Sequence, residues 1–224
     1  MFSAVIFDMD GLLVDSEPHW RAAEIQVFEE HLGVRVTEAQ CAETMGIRID
    51  HVVQLWLDRH PKPDVNAADL VRIIVDKMCE RMREQGTALP GVHRLVTLLK
   101  RRGLPLAVAS SSPRRLIDAV LQRLELTQQF AVVHSAEEEA RGKPDPAVYL
   151  TAARLLRVSP QACLVFEDSL AGVAAGRSAG MRVVAVPALD QRHKPEYRDA
   201  DLIIESLERF TDETLDALQN QFGV

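Results

Sequence analysis

The sequence SAVIFDMDG, residues 3–11, is an apolar run that ends in two aspartates. It is rich in β-formers and stops at a charge, which is typical of a strand buried on both faces of a parallel sheet. In open α/β sheets ligands bind beyond the carboxyl ends of the strands, so Asp8 and Asp10 are expected at the functional edge. Because residues i and i+2 of an extended chain face the same way, both carboxylates should enter one site.

Further apolar runs resemble this one, and helical patterns lie between most of them. The alternation predicts an α/β fold, a Rossmann-like parallel sheet with helices on both faces. Gly103 agrees with it, since a glycine often follows the last turn of a helix. The further runs are residues 104–109, 131–134, 163–166, 182–186 and 201–204.

Residues 16–85 depart from the alternation and carry helical patterns without a convincing strand. Thr37 and Gln40 have the spacing of a capping box at a helix start. Apolar residues recur at helical spacing through residues 49–57, and a further amphipathic helix follows Asn66. The simplest interpretation is a helical insert placed directly after the first strand.

This insert predicts two domains. The catalytic core would comprise residues 1–15 and 87–224, and the helical cap residues 16–86. The chain would cross between them near Asp15 and Gly86, and a lid that closes over a site needs two such hinges.

The composition is that of a globular protein with an acidic surface. The 224 residues are 47% hydrophobic and 26% charged, with a formal net charge of −7. An acidic surface repels nucleic acid and anionic membranes, so neither is expected as a partner. We expect a monomer or a weak dimer.

Three cysteines, Cys41, Cys79 and Cys163, are scattered and show no CxxC spacing. They are typical of reduced, partly buried thiols rather than of a disulfide framework or a zinc site. The N-terminus lacks the basic start and long apolar stretch of a signal peptide, and no segment is long enough to span a bilayer. A cytoplasmic protein is expected.

A second pair of carboxylates, Glu167 and Asp168, follows another apolar run. If the two strands are neighbours, Asp8, Asp10 and Asp168 converge, with Glu167 close behind. Hard divalent cations such as Mg²⁺ prefer oxygen ligands and would offset this charge. The alternative is structural, since an aspartate after a strand also caps turns and helix starts.

Two segments offer the positive potential that a phosphate ester needs. Residues 109–113, ASSSP, join a strand to a helix, where hydroxyls and amides form an anion cradle. Ser110 at the strand end is the better phosphate ligand, whereas Ser112 is expected to cap the helix. Lys143 lies in the loop RGKPDP and is the nearby cation, although a lone loop lysine is often a solvated surface charge.

In this order the motifs resemble those of the haloacid dehalogenase superfamily of phosphotransferases. The DxD pair Asp8 and Asp10, then Ser110, Lys143 and the Glu167–Asp168 pair match its four motifs. The segments FDMDGLLVDSEP, ASSS, GKPDP and EDSLAG, with the early helical insert, resemble its β-phosphoglucomutase-like subgroup. Within that subgroup, 2-deoxyglucose-6-phosphate and hexitol phosphatases are closest in appearance. The match spans nearly the whole chain.

The resemblance implies a role for each carboxylate. Asp8 would be the nucleophile that forms an aspartyl-phosphate, and Asp10 the general acid and then base. Mg²⁺ would be held by Asp8, Asp168 and the carbonyl of Met9, with Glu167 a direct or water-mediated ligand. The metal set predicted from the resemblance also includes Asp10.

The resemblance also implies how phosphate and substrate are held. Ser110, Ser111 and Lys143 would bind the transferring phosphoryl group. In the cap, Gly46 would let a loop approach the site, and Arg48 is either a substrate ligand or a surface arginine. Trp20 stands where several members, mutases included, have a histidine.

The leading hypothesis is a Mg²⁺-dependent phosphatase of small sugar or polyol phosphates of the hexose or hexitol class. The alternative is a phosphomutase of the β-phosphoglucomutase type, because the chemistry is shared up to the phospho-Asp8 stage. A non-catalytic sugar-phosphate sensor would dispense with Asp8 or Asp10, and this chain keeps both. Members with haloacid substrates use a metal-free site, which the Glu167–Asp168 pair argues against.

Overall fold

The computed structural model describes residues 1–223 and has a six-stranded parallel sheet of order β3-β2-β1-β4-β5-β6. The predicted Rossmann-like α/β fold is confirmed, and each predicted strand is found within two residues of its predicted ends. The strands are β1 Ala4–Phe7, β2 Leu106–Ser110, β3 Val132–Ser135, β4 Cys163–Glu167, β5 Arg182–Ala185 and β6 Leu202–Ile203.

Within the described residues the strands are accompanied by α-helices, none of which is long and apolar enough to cross a membrane. The helices are α1 Glu17–Leu32, α2 Glu38–Ala42, α3 Ile49–Arg59, α4 Ala67–Gln85, α5 Val92–Arg101, α6 Arg114–Arg123, α7 Ala147–Leu156, α8 Leu170–Ser178 and α9 Asp212–Phe222. Short 3₁₀ turns cover Ala136–Glu138, Pro160–Ala162, Pro195–Asp199 and Leu207–Arg209.

The central strand β1 lies between β2 and β4, and this position determines what meets at the sheet edge. Phe7 is aligned with Val108 of β2 and with Phe166 of β4. The residues that follow these strands therefore emerge side by side, as in other parallel sheets whose ligands bind at the carboxyl ends.

The four helices α1–α4 follow β1 without an intervening strand and precede α5. Thr37 and Gln40 form the predicted capping box, in which the Gln40 side chain accepts from the Thr37 amide at 2.9 Å. Asn66 caps α4 by accepting from the amide of Ala68 at 2.8 Å. Trp56 of α3 is buried and packs against Phe28 of α1, so these helices share an apolar interior.

Aromatic rings fill one face of the sheet. The ring of Phe166 stacks on Phe7 at a centroid distance of 5.2 Å and meets the edge of Phe210 at 4.9 Å. All three side chains are fully buried. The opposite face is packed with smaller residues around Tyr149 of α7.

Replacing Phe166 by alanine should lower the free energy of unfolding by about 3–5 kcal/mol, because it leaves a cavity between two rings. Urea unfolding followed by circular dichroism measures this change. The matched control is Leu189→Ala at a side chain that is 80% exposed, which should shift stability by less than about 0.5 kcal/mol. Equal stability of the two variants would contradict the assignment of Phe166 to the core.

Candidate active site

Three buried carboxylates meet where β1 and β4 end. Asp8, Glu167 and Asp168 each offer an oxygen within 4.8 Å of the others. Asp8 directly follows β1, and Asp168 directly follows the last residue of β4. Their approach is thus a consequence of the pairing of the two strands.

Lys143 joins this group from the loop before α7. Its Nζ donates to Asp8 Oδ1 at 2.6 Å and to Glu167 Oε1 at 2.5 Å. The lysine is only 3% exposed, and its ammonium lies 4.9 Å from the ring centre of Tyr149. The Tyr149 hydroxyl also donates to Glu167 Oε1, at 2.6 Å. A buried ammonium with two carboxylate partners retains its charge.

One cation among three carboxylates leaves excess negative charge. Burial, together with Glu167 and Asp10 and against the opposing effect of Lys143, raises the pKa of Asp8 to about 8. Burial and the neighbouring Glu167 also raise the pKa of Asp168 well above its usual value. Burial alone would raise the pKa of Glu167 too, but the ion pair with Lys143 outweighs it and lowers that pKa. A divalent cation would hold all three carboxylates ionised, so the donor set fits a metal.

Gly11 allows the chain to turn away from this group. Its φ is +69°, and a Cβ at this position would lie 2.1 Å from Asp168 Oδ2. Any larger residue would displace that carboxylate. The glycine of the motif is therefore part of the geometry of the site.

Asp10, which the resemblance includes in the metal set, lies outside the group of three carboxylates whose oxygens are within 4.8 Å of one another. Its metal role stays a prediction. Its Oδ1 accepts from Ser16 Oγ at 2.7 Å and from Trp20 Nε1 at 2.9 Å. Its Oδ2 accepts from Ser112 Oγ at 2.6 Å and, more weakly, from Ser110 Oγ at 3.4 Å. Hydroxyl and indole donors therefore orient the Asp10 carboxylate.

The Met9 carbonyl, which the resemblance makes a metal ligand, lies in the turn after β1. This oxygen accepts the amide of Leu13 at 2.8 Å and those of Leu12 and Val14 at 3.3 Å. These bonds form the turn after β1 and use the acceptor capacity of the carbonyl.

The three serine side chains in the loop after β2 have different hydrogen-bond partners. Ser110 is 1% exposed, and its Oγ accepts from the amide of Ser112 at 3.1 Å. Ser112 was expected to cap α6, but its hydroxyl binds Asp10 and Pro113 occupies the cap position. Ser111 donates its hydroxyl to the Gly46 carbonyl at 2.9 Å, so that group is not directed at a phosphate.

Gly46 lies where the loop between α2 and α3 packs closely against Ser169. Its φ is +79°, and a Cβ at this position would lie 2.8 Å from Ser169 Oγ. A side chain would push the loop away from β4.

Arg48, considered from the sequence as a substrate ligand or a surface arginine, is partly buried beside Asp50. Its guanidinium pairs with Asp50 at 2.6 Å and donates to the carbonyls of Ala136 and Glu139, both at 2.8 Å. Its side chain therefore fastens the loop before α3 to the segment after β3.

A cavity lies above the carboxylates, and Asp8, Asp10 and Asp168 are among the residues that line it. Sequence reasoning missed the α1 residues Glu17, Arg21 and Glu24 in its wall. Together with Trp20 they recur at helical spacing on one face of α1. That spacing is the pattern from which their shared position could have been predicted. The cavity is lined by Asp8, Asp10, Glu17, Trp20, Arg21, Glu24, Cys41, Thr44, Met45, Gly46, Ile47, Ile49, Ser110, Ser111, Ser112, Pro113 and Asp168.

Known proteins resemble this chain over most of its length. Hexitol phosphatase B of Escherichia coli (strain K12) is 39% identical over 209 residues, covering 93% of this chain and 94% of that protein. The phosphorylated carbohydrates phosphatase of Thermotoga maritima is 33% identical over 186 residues, covering 80% and 82%.

Solved structures agree on the fold. CbbY from Rhodobacter sphaeroides, in complex with phosphate, superposes with a TM-score of 0.87 at 28% identity, covering 96% of this chain and 100% of that one. The β-phosphoglucomutase from Clostridium difficile also has a TM-score of 0.87, at 22% identity and 99% coverage of both chains, and shows the fold alone. The family model that describes haloacid dehalogenase-like hydrolases matches residues 2–180 of this chain. The resemblance drawn from the motifs is thereby confirmed, and the chain belongs to the haloacid dehalogenase-like hydrolases.

Proposed function

We propose that this protein is a Mg²⁺-dependent phosphatase that hydrolyses monophosphates of sugars or polyols through an aspartyl-phosphate at Asp8. The observation that carries the proposal is the placement of Asp8. It lies in the buried carboxylate group, bound by Lys143 through one oxygen, beneath a cavity that Asp10 also lines.

Asp8 is the proposed nucleophile. Lys143 binds its Oδ1, and the second carboxylate oxygen attacks phosphorus while the bond from phosphorus to the leaving oxygen breaks. With a pKa raised to about 8 by burial, Asp8 needs added positive charge to be ionised at neutral pH. This need supports a metal beside it.

Asp8, Glu167 and Asp168 are the proposed metal ligands, directly or through water. When bound, Mg²⁺ would offset the charge that repels an anionic ester and stabilise the transferring phosphoryl oxygens. The family generally uses a divalent metal, and the choice of Mg²⁺ rests on hard oxygen donors.

Asp10 is the proposed general acid and base. It gives a proton to the leaving alkoxide, and as a carboxylate it then takes a proton from the water that attacks phospho-Asp8. The donors Ser16, Trp20 and Ser112 keep the carboxyl group in one orientation at the cavity wall. That orientation favours proton transfer over metal binding.

Ser110 and Lys143 are proposed to bind the phosphoryl group. Ser110 ends β2 just before the N-terminal end of α6, where free amides attract an anion. Ser111 would contribute through its backbone only, because its hydroxyl binds the Gly46 carbonyl.

Residues 16–86 are proposed to act as a cap over this site, with hinges near Asp15 and Gly86. At the first hinge the Asp15 amide donates to the Thr87 carbonyl at 3.3 Å, so the two chain crossings lie together. Trp20 and Gly46 of the cap contact Asp10 and Ser111 of the core. Closure would exclude water from the reacting groups.

The substrate class is supported by relatives whose names specify hexitol phosphates and phosphorylated carbohydrates. The likeness to a β-phosphoglucomutase is one of fold, at 22% identity. A phosphatase is therefore preferred to a phosphomutase.

Asp8→Asn should lower phosphate release from hexitol phosphates by at least about 10⁴-fold, because an amide is a poor nucleophile. A phosphate-release assay with excess Mg²⁺ measures it. Asp64→Asn, at an exposed position, is the control and should retain full activity. Turnover by Asp8→Asn near the wild-type rate would exclude Asp8 as nucleophile.

Asp10→Asn should lower turnover of hexitol phosphates by about 10²–10⁴-fold, the usual contribution of a general acid or base. With p-nitrophenyl phosphate, whose leaving group needs no proton, the first step should survive. We expect a rapid burst of about one p-nitrophenol per enzyme before slow turnover. An unchanged steady-state rate with hexitol phosphates would remove Asp10 from the mechanism.

Removing divalent metal with a chelator should abolish activity, and added Mg²⁺ should restore it. Asp168→Asn should raise the Mg²⁺ concentration for half-maximal activity more than about tenfold, because it removes an ionised oxygen ligand. Phosphate release across a Mg²⁺ titration measures both effects. Full turnover in chelator would refute the metal assignment.

A further inference from the structure

One wall of the cavity carries a polar group that the proposed chemistry does not use. Helix α1 presents Glu17, Trp20, Arg21 and Glu24 on the face that lines the cavity. Trp20 already binds Asp10. The other three have no assigned partner in catalysis.

Glu24 is unusual because it is buried while one oxygen of its carboxyl group lacks a hydrogen-bond partner. Its side chain belongs to a residue only 7% exposed, and its Oε2 has no hydrogen-bond partner. The thiol of Cys41 and the carboxylate of Glu17 are its titratable neighbours. Burial raises the pKa of Glu24 to about 7. Buried polar atoms in folded proteins nearly always have a partner, so this one requires an explanation.

Packing does not explain the residue. An apolar side chain of similar size would fill the same volume without the cost of an unpaired acceptor. A buried acceptor in the wall of a ligand cavity is satisfied when the ligand supplies the donor. Sites of this kind discriminate strongly between substrates with and without the matching hydroxyl.

We propose that Glu24 is a specificity-determining residue that accepts a hydrogen bond from a hydroxyl group on the carbon chain of the substrate. This inference rests on the proposed phosphatase function and narrows it to polyhydroxylated monophosphates. Phosphate would lie at Asp8, and the hydroxylated part of the molecule would extend towards α1.

The charges of this wall favour a neutral hydroxyl over a second phosphate group. Two acidic residues, Glu17 and Glu24, face the cavity with one cation, Arg21. Burial raises the pKa of Glu17 to about 7, and the neighbouring Asp10 adds to that effect. A second phosphate would increase that repulsion, whereas a hydroxyl donates to a carboxylate.

The experiment compares Glu24→Met with Glu24→Gln. The substrates are glucitol 6-phosphate, and p-nitrophenyl phosphate, which has no hydroxylated chain. Glu24→Met should lower kcat/KM for glucitol 6-phosphate by about 10- to 100-fold, since it removes the acceptor. Glu24→Gln keeps an acceptor and should lose less. With p-nitrophenyl phosphate both variants should stay within about twofold of the wild type.

Thermal unfolding separates this role from a structural one. Replacing an unsatisfied buried carboxyl by an apolar side chain should raise Tm by about 2–4 °C. Glu30→Met, at an exposed position of the same helix, is the matched control and should change neither Tm nor kcat/KM. Deoxy analogues of the substrate complete the test, because the effect of Glu24→Met should vanish for the analogue that lacks the partner hydroxyl.

If Glu24→Met lowered kcat/KM equally for both substrates, Glu24 would have a structural role and the inference would be overturned. A higher kcat/KM of the wild type for a hexose bisphosphate than for the monophosphate would also overturn the inference, if Glu24→Met and Glu24→Gln show the same preference. If the wild type cleaved p-nitrophenyl phosphate but no sugar or polyol phosphate, the proposed substrate class would fail, and the Glu24 assignment with it. That result can be distinguished from a failure of the Glu24 assignment by itself, because it is measured on the wild type without any variant.

Discussion

The ion pair of Lys143 with Asp8 and Glu167 is the interaction on which the rest of the site depends. It brings a loop from beyond β3 onto the ends of two central strands and gives the buried carboxylates a fixed counter-charge. Removing Lys143 would leave two buried carboxylates without their cation, which is far more costly than losing an exposed pair. The ion pairs of Lys143 go to Asp8 and Glu167, and Asp168 lies beside them as a third carboxylate. This excess of negative charge supports the proposed metal.

A second layer of contacts connects this centre to the cap. Asp10 is held by hydroxyls of the core and by the indole of Trp20 on α1. The proposed general acid is thus oriented in part by the same helix that carries Glu24. If both proposed roles hold, a substrate that fits α1 also meets a correctly oriented acid.

The fold and the buried centre could be predicted from sequence because their signals are local. Apolar runs predict the strands, and Asp8, Lys143 and Asp168 each occur where a strand or loop must reach the sheet edge. The partners of Arg48 and Ser111 could not be predicted in this way. Both donate to backbone carbonyls far away in the chain, and a carbonyl has no residue-type signature. The hydroxyl and indole partners of Asp10 could not be predicted either, because DxD spacing does not show which donors surround the second carboxylate.

The fastening of Arg48 to the carbonyls of Ala136 and Glu139 has a consequence for exchanging parts between relatives. A cap transplanted from another family member would bring its own loop but meet the recipient's segment after β3. Unless the loop and this segment come from the same protein, the two backbone carbonyls would not be placed to accept from the guanidinium of the loop. The unit of modular exchange in this protein is therefore discontinuous, a helical insert plus a short core segment almost ninety residues further along the chain.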